Sequence, residues 1–285
     1  MTTTDGLISR SIDVPGARLH YEVRGFSEFA ARRGGPVLLV IGSPMAAAEF
    51  APLAHAMATD HTVVTYDPRG FAGSPVDDPD GPSNPDLRAD DVVAILDALG
   101  VDSADVFGSS GGAVTGLAMV TRYPGRVGTL VAHEPPLIDL LPDAGQQREA
   151  MQAITDTFLT EGLQAAWMKF MVNAGFDLAA FGDGPPEPQG QPVNPEQELA
   201  EGARFFVHDL APTCQYLPEF DTLKASPTRI VIGLGADSGH LLTHRTSVAV
   251  AQRLGIDTTE FPGDHGGFMG APGAFADRLR QVLHP

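Results

Sequence analysis

The chain has a single cysteine, Cys214, among its 285 residues, which excludes an internal disulfide and leaves a packed thiol as the expected state. Basic charge is scarce. Eighteen Lys and Arg stand against 36 Asp and Glu, a net charge of −18 that repels nucleic acid and anionic membrane surfaces, so neither is an expected partner. No apolar run reaches the roughly 18 residues of a membrane span. Met1-Thr2-Thr3-Thr4-Asp5 has neither the basic region nor the apolar core of a signal peptide, so a soluble cytoplasmic protein is expected. No Lys-Ser or Lys-Thr pair follows the glycines, no G-x-G-x-x-G precedes a spaced acidic residue, and no histidine pair has metal-ligand spacing such as H-E-x-x-H. No nucleotide, cofactor or metal is therefore called for. The acidic cluster Asp77-Asp78-Pro79-Asp80, with its proline, reads as a solvated loop.

What is present is organised around Gly108-Ser109-Ser110-Gly111-Gly112, a G-x-S-x-G pattern entered from the β-type run Ala104-Asp105-Val106. Glycine is required on both sides of the serine because a Cβ there would strike neighbouring backbone in a strand-to-helix turn this tight. Ser110 is thereby pushed to the tip with its Oγ exposed, and the Gly111 N–H points out of a helix N-terminus, where the dipole favours an oxyanion. The apolar pattern over Val114 to Tyr123 supplies the helix, and Pro124-Gly125 ends it.

The rest of the chain supplies the frame. Ile8 to Val14 and Ala17 to Val23 alternate around Pro15-Gly16 as an edge hairpin, and Val37-Leu38-Leu39-Val40-Ile41 is a continuous run of the kind buried on both faces of a parallel sheet. A helix is expected over Glu49 to Thr59, a strand over His61 to Tyr66, an amphipathic helix over Asp86 to Leu99 and a strand over Val127 to Ala132. From Leu137 to about Leu223 no good strand occurs. Helical stretches there (Gln146 to Leu159, Leu163 to Val172, Glu196 to Leu210) surround a Pro/Gly-rich loop from Gly182 to Pro195, and Trp167, Met168, Phe170, Met171, Phe205, Phe206 and Tyr216 give the segment a large apolar surface. Strands and helices resume with Arg229 to Leu234, Thr243 to Leu254, Asp257 to Phe261, a loop from Pro262 to Met269, and Pro272 to Leu283. This alternation implies an α/β class with a mostly parallel central sheet flanked by helices. The core would be residues 1–136 and 224–285, with an inserted helical cap over 137–223.

Several local sequences resemble the α/β-hydrolase family. Besides the nucleophile elbow, Asp67-Pro68-Arg69-Gly70-Phe71-Ala72-Gly73-Ser74 is similar to the family's D-x-R-G-x-G-x-S loop, with Ala72 where glycine is usual. Gly42-Ser43-Pro44 resembles the oxyanion loop H-G-x-P, with Ile41 in place of the histidine. The resemblance implies Ser110 as nucleophile, His265 in Gly263-Asp264-His265-Gly266-Gly267 as base, and backbone N–H groups of Ser43 and Gly111 as the oxyanion hole. Backbone donation survives the change at Ile41, whereas Pro44 has no N–H to give. Of the other histidines, His20, His55, His61 and His284 read as surface or packing residues, and His133, His208, His240 and His244 as candidates to line the site.

The acid has two candidates. Most members take it from a G-x-x-D pattern after the next-to-last strand, where Gly235-Ala236-Asp237-Ser238 puts Asp237 one place early. A subset, including lactonases that open the macrocyclic ester zearalenone, uses a carboxylate after the strand that follows the nucleophile helix. Their local sequence resembles Cys-His-Glu-Leu-Pro, similar to Ala132-His133-Glu134-Pro135-Pro136, so Glu134 is favoured and Asp237 is the alternative. The implied activity is cofactor-free hydrolysis of a small-molecule carboxylic ester or lactone with an apolar body. A serine nucleophile argues against the dehalogenase and epoxide hydrolase chemistry for which related enzymes use aspartate. A carbon–carbon bond hydrolase, a cofactor-free perhydrolase and a non-catalytic ligand-binding protein on the same scaffold are the alternatives.

Overall fold

A computed structural model describes residues 6–25, 36–177 and 194–284. Strands β1 (Ile8–Val14) and β2 (Ala17–Arg24) form an antiparallel hairpin whose turn uses the positive φ of Gly16. β3 (Val37–Ile41), β4 (Thr62–Tyr66), β5 (Ala104–Ser109), β6 (Val127–His133), β7 (Arg229–Gly235) and β8 (Thr258–Phe261) complete one eight-stranded sheet in the order β1-β2-β4-β3-β5-β6-β7-β8. β2 joins β4 antiparallel, and all later pairings are parallel.

The uninterrupted apolar strands follow from helices covering both faces. Leu39 and Ile41 of β3 belong to a buried cluster with residues of α2 (Pro85–Leu99), α3 (Gly111–Arg122) and α9 (Leu242–Leu254). Their neighbours Leu38 and Val40 point the other way, into a second cluster with α1 (Ala51–Met57) and α11 (Pro272–Leu283). β3 has β4 on one side and β5 on the other, so the winding reverses there and a crevice opens at the carboxyl ends of the strands.

Local signals set most boundaries. Asn84 Oδ1 accepts the Leu87 N–H at 2.9 Å and Pro85 occupies the first turn of α2, while Gly100 ends it in the left-handed conformation at φ +67. The helix expected over Glu49 to Thr59 is shorter, because residues 47–50 form turns and Glu49 caps the Ala46 N–H at 3.1 Å. The loop expected over Pro262 to Met269 contains a short helix, α10 (Gly267–Gly270).

Between β6 and β7 the described residues hold no strand. They form a 3₁₀ turn (Ile138–Leu140) and helices α4 (Ala144–Glu161), α5 (Leu163–Ala174), α6 (Pro195–Ala203), α7 (Leu210–Cys214) and α8 (Phe220–Ala225). Most of the Gly182 to Pro195 loop lies outside the described residues. The uniform helix expected over Glu196 to Leu210 is corrected. Arg204–Asp209 is a π-helical segment joining α6 to α7, held by long-range partners that no local signal announces. The Arg204 guanidinium donates to the carbonyls of Pro79, Gly81 and Pro82, and Asp209 pairs with Arg88. Among the described residues no helix is long and apolar enough to cross a membrane.

Candidate active site

Five of the six positions singled out from sequence lie just beyond the carboxyl ends of five strands, Ser43 after β3, Ser110 after β5, Glu134 after β6, Asp237 after β7 and His265 after β8, and the sixth, Gly111, opens α3. Ser110 sits at φ 55 and ψ −122, between the last residue of β5 and the first of α3. Such a conformation costs an L-residue on the order of 1–3 kcal/mol and persists only where surrounding structure enforces it. Here the glycines enforce it. A Cβ on Gly108 would come within 2.5 Å of the Gly112 carbonyl oxygen, one on Gly112 within 2.2 Å of that of Ile41, and one on Gly111 within 2.5 Å of that of Ser43. The last contact seats the nucleophile helix directly on the loop after β3, so Ser43 and Gly111 share one wall.

Glu134 also has a left-handed backbone, φ 53, with its N–H bonded to the Gly233 carbonyl at 3.1 Å. The turn aims a fully buried carboxylate at three donors. Oε1 accepts the Gly235 N–H at 2.9 Å; Oε2 accepts the Thr243 hydroxyl at 2.7 Å and lies 2.6 Å from His265 Nδ1. Burial alone would raise its pKa, but the hydrogen bond and attraction from His265 outweigh that and hold the carboxyl well below the usual carboxylate range. Asp237, the alternative acid, is exposed on the turn after β7, its N–H bonded to the Gly263 carbonyl at 2.9 Å, while Ser238 next to it is buried. The structure thus brings Glu134, and not Asp237, against His265. With Nδ1 engaged, Nε2 is the ring nitrogen left for Ser110. A Ser110 Oγ to His265 bond is not among the hydrogen bonds of the described residues; contacts of this kind are often long until substrate binds.

Ser110, His265, Ser43 and Gly111 line a cavity of about 230 Å³. Its walls come from the 137–223 segment and α9, and they are mostly apolar: Met151, Trp167, Phe170, Met171, Phe205 and Leu242 contribute. Trp167 stacks on Phe205 with ring centroids 5.3 Å apart and meets Phe206 edge-on at 4.8 Å. Phe206 lies behind this wall, Met168 is exposed, and Tyr216 instead donates to Asp86 at 2.8 Å. Cys214 also reaches the cavity, and burial pushes its thiol up to about 12, so it stays protonated. Asn173 lines it too, with a buried side-chain nitrogen that has no hydrogen-bond partner among the described residues.

The other histidine candidates do not line this cavity. His133 is fully buried with its ring centroid 6.3 Å from that of His265, among Phe107, Phe261 and Phe275; burial lowers its pKa to about 4 and keeps it neutral. His208 faces Asp80 at 3.6 Å, and His240 is exposed. Sequence reasoning missed Asp209, a 1% exposed carboxylate on the cavity wall, because its partners Ser43, Ser83 and Arg88 all lie more than 120 residues away in the sequence. Among the described residues no group of three or more His, Cys, Asp or Glu is placed to hold a metal ion.

Comparison with known proteins agrees with this architecture. A family model described as the alpha/beta hydrolase fold matches residues 35–166. An uncharacterized hydrolase, YraK, of Bacillus subtilis (strain 168) is 30% identical over 288 residues, covering 99% of this chain and 97% of its own. Two solved structures superpose over nearly the whole chain. A thermophilic esterase from Thermogutta terrifontis has a TM-score of 0.71 at 19% identity, with 97% of this chain and 98% of that one covered. The enol-lactonase from Burkholderia xenovorans LB400 has a TM-score of 0.63 at 21% identity, with 97% and 100% covered. With an elbow serine at a strand-to-helix turn, one mostly parallel sheet flanked by helices and an end-to-end relative, the chain belongs to the α/β-hydrolase superfamily.

Proposed function

We propose that this protein is a serine hydrolase that cleaves a carboxylic ester or lactone with an apolar body through an acyl-enzyme on Ser110. The observation that carries the reading is the 2.6 Å contact between His265 Nδ1 and the buried Glu134 carboxylate, beside an elbow serine in an apolar cavity. Ser110 Oγ attacks the carbonyl carbon as its proton passes to His265 Nε2, and the electron pair of the C=O moves onto oxygen. The N–H groups of Ser43 and Gly111 receive that oxyanion. Collapse re-forms the C=O and breaks the bond to the leaving oxygen, which takes the proton from His265. Water, deprotonated by His265, then attacks the acyl carbon and releases the acid and Ser110. From a lactone the leaving oxygen stays tethered, and the product is a single hydroxy acid. Glu134 stabilises the imidazolium at each stage. Residues 137–223 act as a cap whose apolar wall holds the substrate body and excludes water.

The relatives named as esterase and enol-lactonase are consistent with this substrate class. Steady turnover of p-nitrophenyl esters and of a panel of lactones tests it; binding of these compounds without any turnover would favour a ligand-binding protein instead.

The side-chain nitrogen of Asn173, unpartnered among the described residues, gives the cavity wall a donor away from the sheet ends. An acceptor oxygen on the substrate body would satisfy a group that is otherwise costly to bury, at a gain of about 1 kcal/mol. Asn173→Leu should raise KM about fivefold for substrates carrying such an oxygen and lower it for purely aliphatic ones. Equal changes for both series would remove Asn173 from recognition.

A further inference from the structure

Both residues whose N–H groups would hold the oxyanion are tied into one buried hydrogen-bond chain, and the chain crosses from the sheet ends to the segment above them. The Ser43 hydroxyl donates to Asp209 Oδ2 at 3.0 Å. Asp209 Oδ1 accepts from Arg88 Nη1 and from the Ser83 hydroxyl, the latter at 2.6 Å. Arg88 donates from Nη1 to Ser83 at 3.1 Å, from Nη2 to the Thr213 hydroxyl at 2.7 Å, and from Nε to the Thr115 hydroxyl at 3.1 Å. Thr115 in turn donates to the Gly111 carbonyl at 3.1 Å. Every side chain in the chain is buried, and Arg88 is fully so.

We infer that Asp209 and Arg88 are positioning residues, which fix the separation of the Ser43 and Gly111 N–H groups by holding one by its hydroxyl and the other by its carbonyl. The inference rests on the acyl-enzyme reading of the site.

Three features support a positioning role over simple packing. The ends of the chain are the Ser43 side chain and the Gly111 peptide, the two groups that must stay still while negative charge develops between them. A carboxylate beside an oxyanion would oppose it, and the Arg88 guanidinium cancels that charge, so Asp209 can anchor Ser43 without a net negative field. Finally, Asp209 and Thr213 belong to the 137–223 segment whereas Ser43, Ser83, Arg88 and Thr115 belong to the sheet's own loops and helices, so the seating of that segment and the geometry of the hole are set together. The π-helical segment is what carries Asp209 to this point.

Replacing Asp209 would strand the buried Arg88 cation and endanger folding, so the two end hydroxyls are the better handles. Ser43→Ala removes one hydroxyl and keeps the backbone N–H; Thr115→Val removes the other at constant shape, and Thr115→Ser retains it. The expected result for Ser43→Ala and for Thr115→Val is about a tenfold fall in kcat with KM within twofold. An alkyl boronic acid, which forms a tetrahedral anionic adduct on an activated serine, should bind each variant weaker by the same factor. Thr115→Ser should restore both values. Variants that keep kcat within twofold, or that lose kcat while binding the boronic acid as the wild type does, would overturn the inference. If the wild type itself fails to bind the boronic acid, the acyl-enzyme reading falls, and the inference with it.

Discussion

Ser110→Ala should lose at least about 10⁴-fold in kcat on any ester or lactone that the wild type turns over, because members of a triad act as a unit and removing the nucleophile removes the covalent path. KM should change little, since the cavity walls and the Ser43 and Gly111 N–H groups remain. The fold should also remain: Ala keeps the Cβ and therefore the same strained backbone at φ 55. Ser110→Gly separates chemistry from strain. Glycine adopts that conformation freely, so the variant should be as inactive as Ser110→Ala and more stable than it by about 1 kcal/mol. Matched urea melts check the second point, and retention of more than a tenth of wild-type activity in either variant would contradict the first.

Glu134→Gln should lose about 10²- to 10⁴-fold in kcat, and Asp237→Asn less than about tenfold. The direction follows from the partners of the carboxylate. Oε1 accepts from the Gly235 N–H, which can only donate, so the amide oxygen of Gln must take that place. Its NH₂ then faces His265 and Thr243. The Thr243 hydroxyl can turn and accept, but His265 Nδ1 must also become an acceptor, which leaves the proton on Nε2, where a base is needed. Asp237 is exposed and its loss disturbs none of this. Linkage gives a second readout. The folded Glu134 carboxyl sits below its ordinary value of 4.5, so its ionisation contributes stability above about that pH and loses it as pH falls toward the lowered value. The gap in melting temperature between wild type and Glu134→Gln should be widest near neutrality and shrink below pH 4.5.

Much of this fold is written in local sequence. The apolar run of β3 reads as buried on both faces because alternate residues enter different clusters, and Pro85, Gly100 and Pro272 mark helix ends through backbone constraints that act within a few residues. The elbow is legible through its glycines: Gly108 answers to a local contact with the Gly112 carbonyl, while Gly111 and Gly112 answer to the Ser43 and Ile41 carbonyls at the end of β3. The site is legible only in part. His265 stands in a glycine-flanked loop after the last strand, but the approach of Glu134 depends on a left-handed backbone at a residue with no glycine signature, followed by two prolines. Resemblance, not propensity, points to it. Asp209 and the π-helical segment carry no local mark, since the long-range pairs that hold them are separated by 51 to 166 residues. Their position is fixed by tertiary contacts that outweigh the helical preference of the segment.

Treatment of the intact protein with a fluorophosphonate, followed by peptide mass spectrometry, tests the central claim most directly, because only a serine activated by its neighbours displaces fluoride at a useful rate. The account predicts one adduct per chain, on Ser110, formed quickly in the wild type and on the order of 10²-fold more slowly in Glu134→Gln. An adduct on any other residue, or no adduct in a protein that still turns over esters, would contradict it.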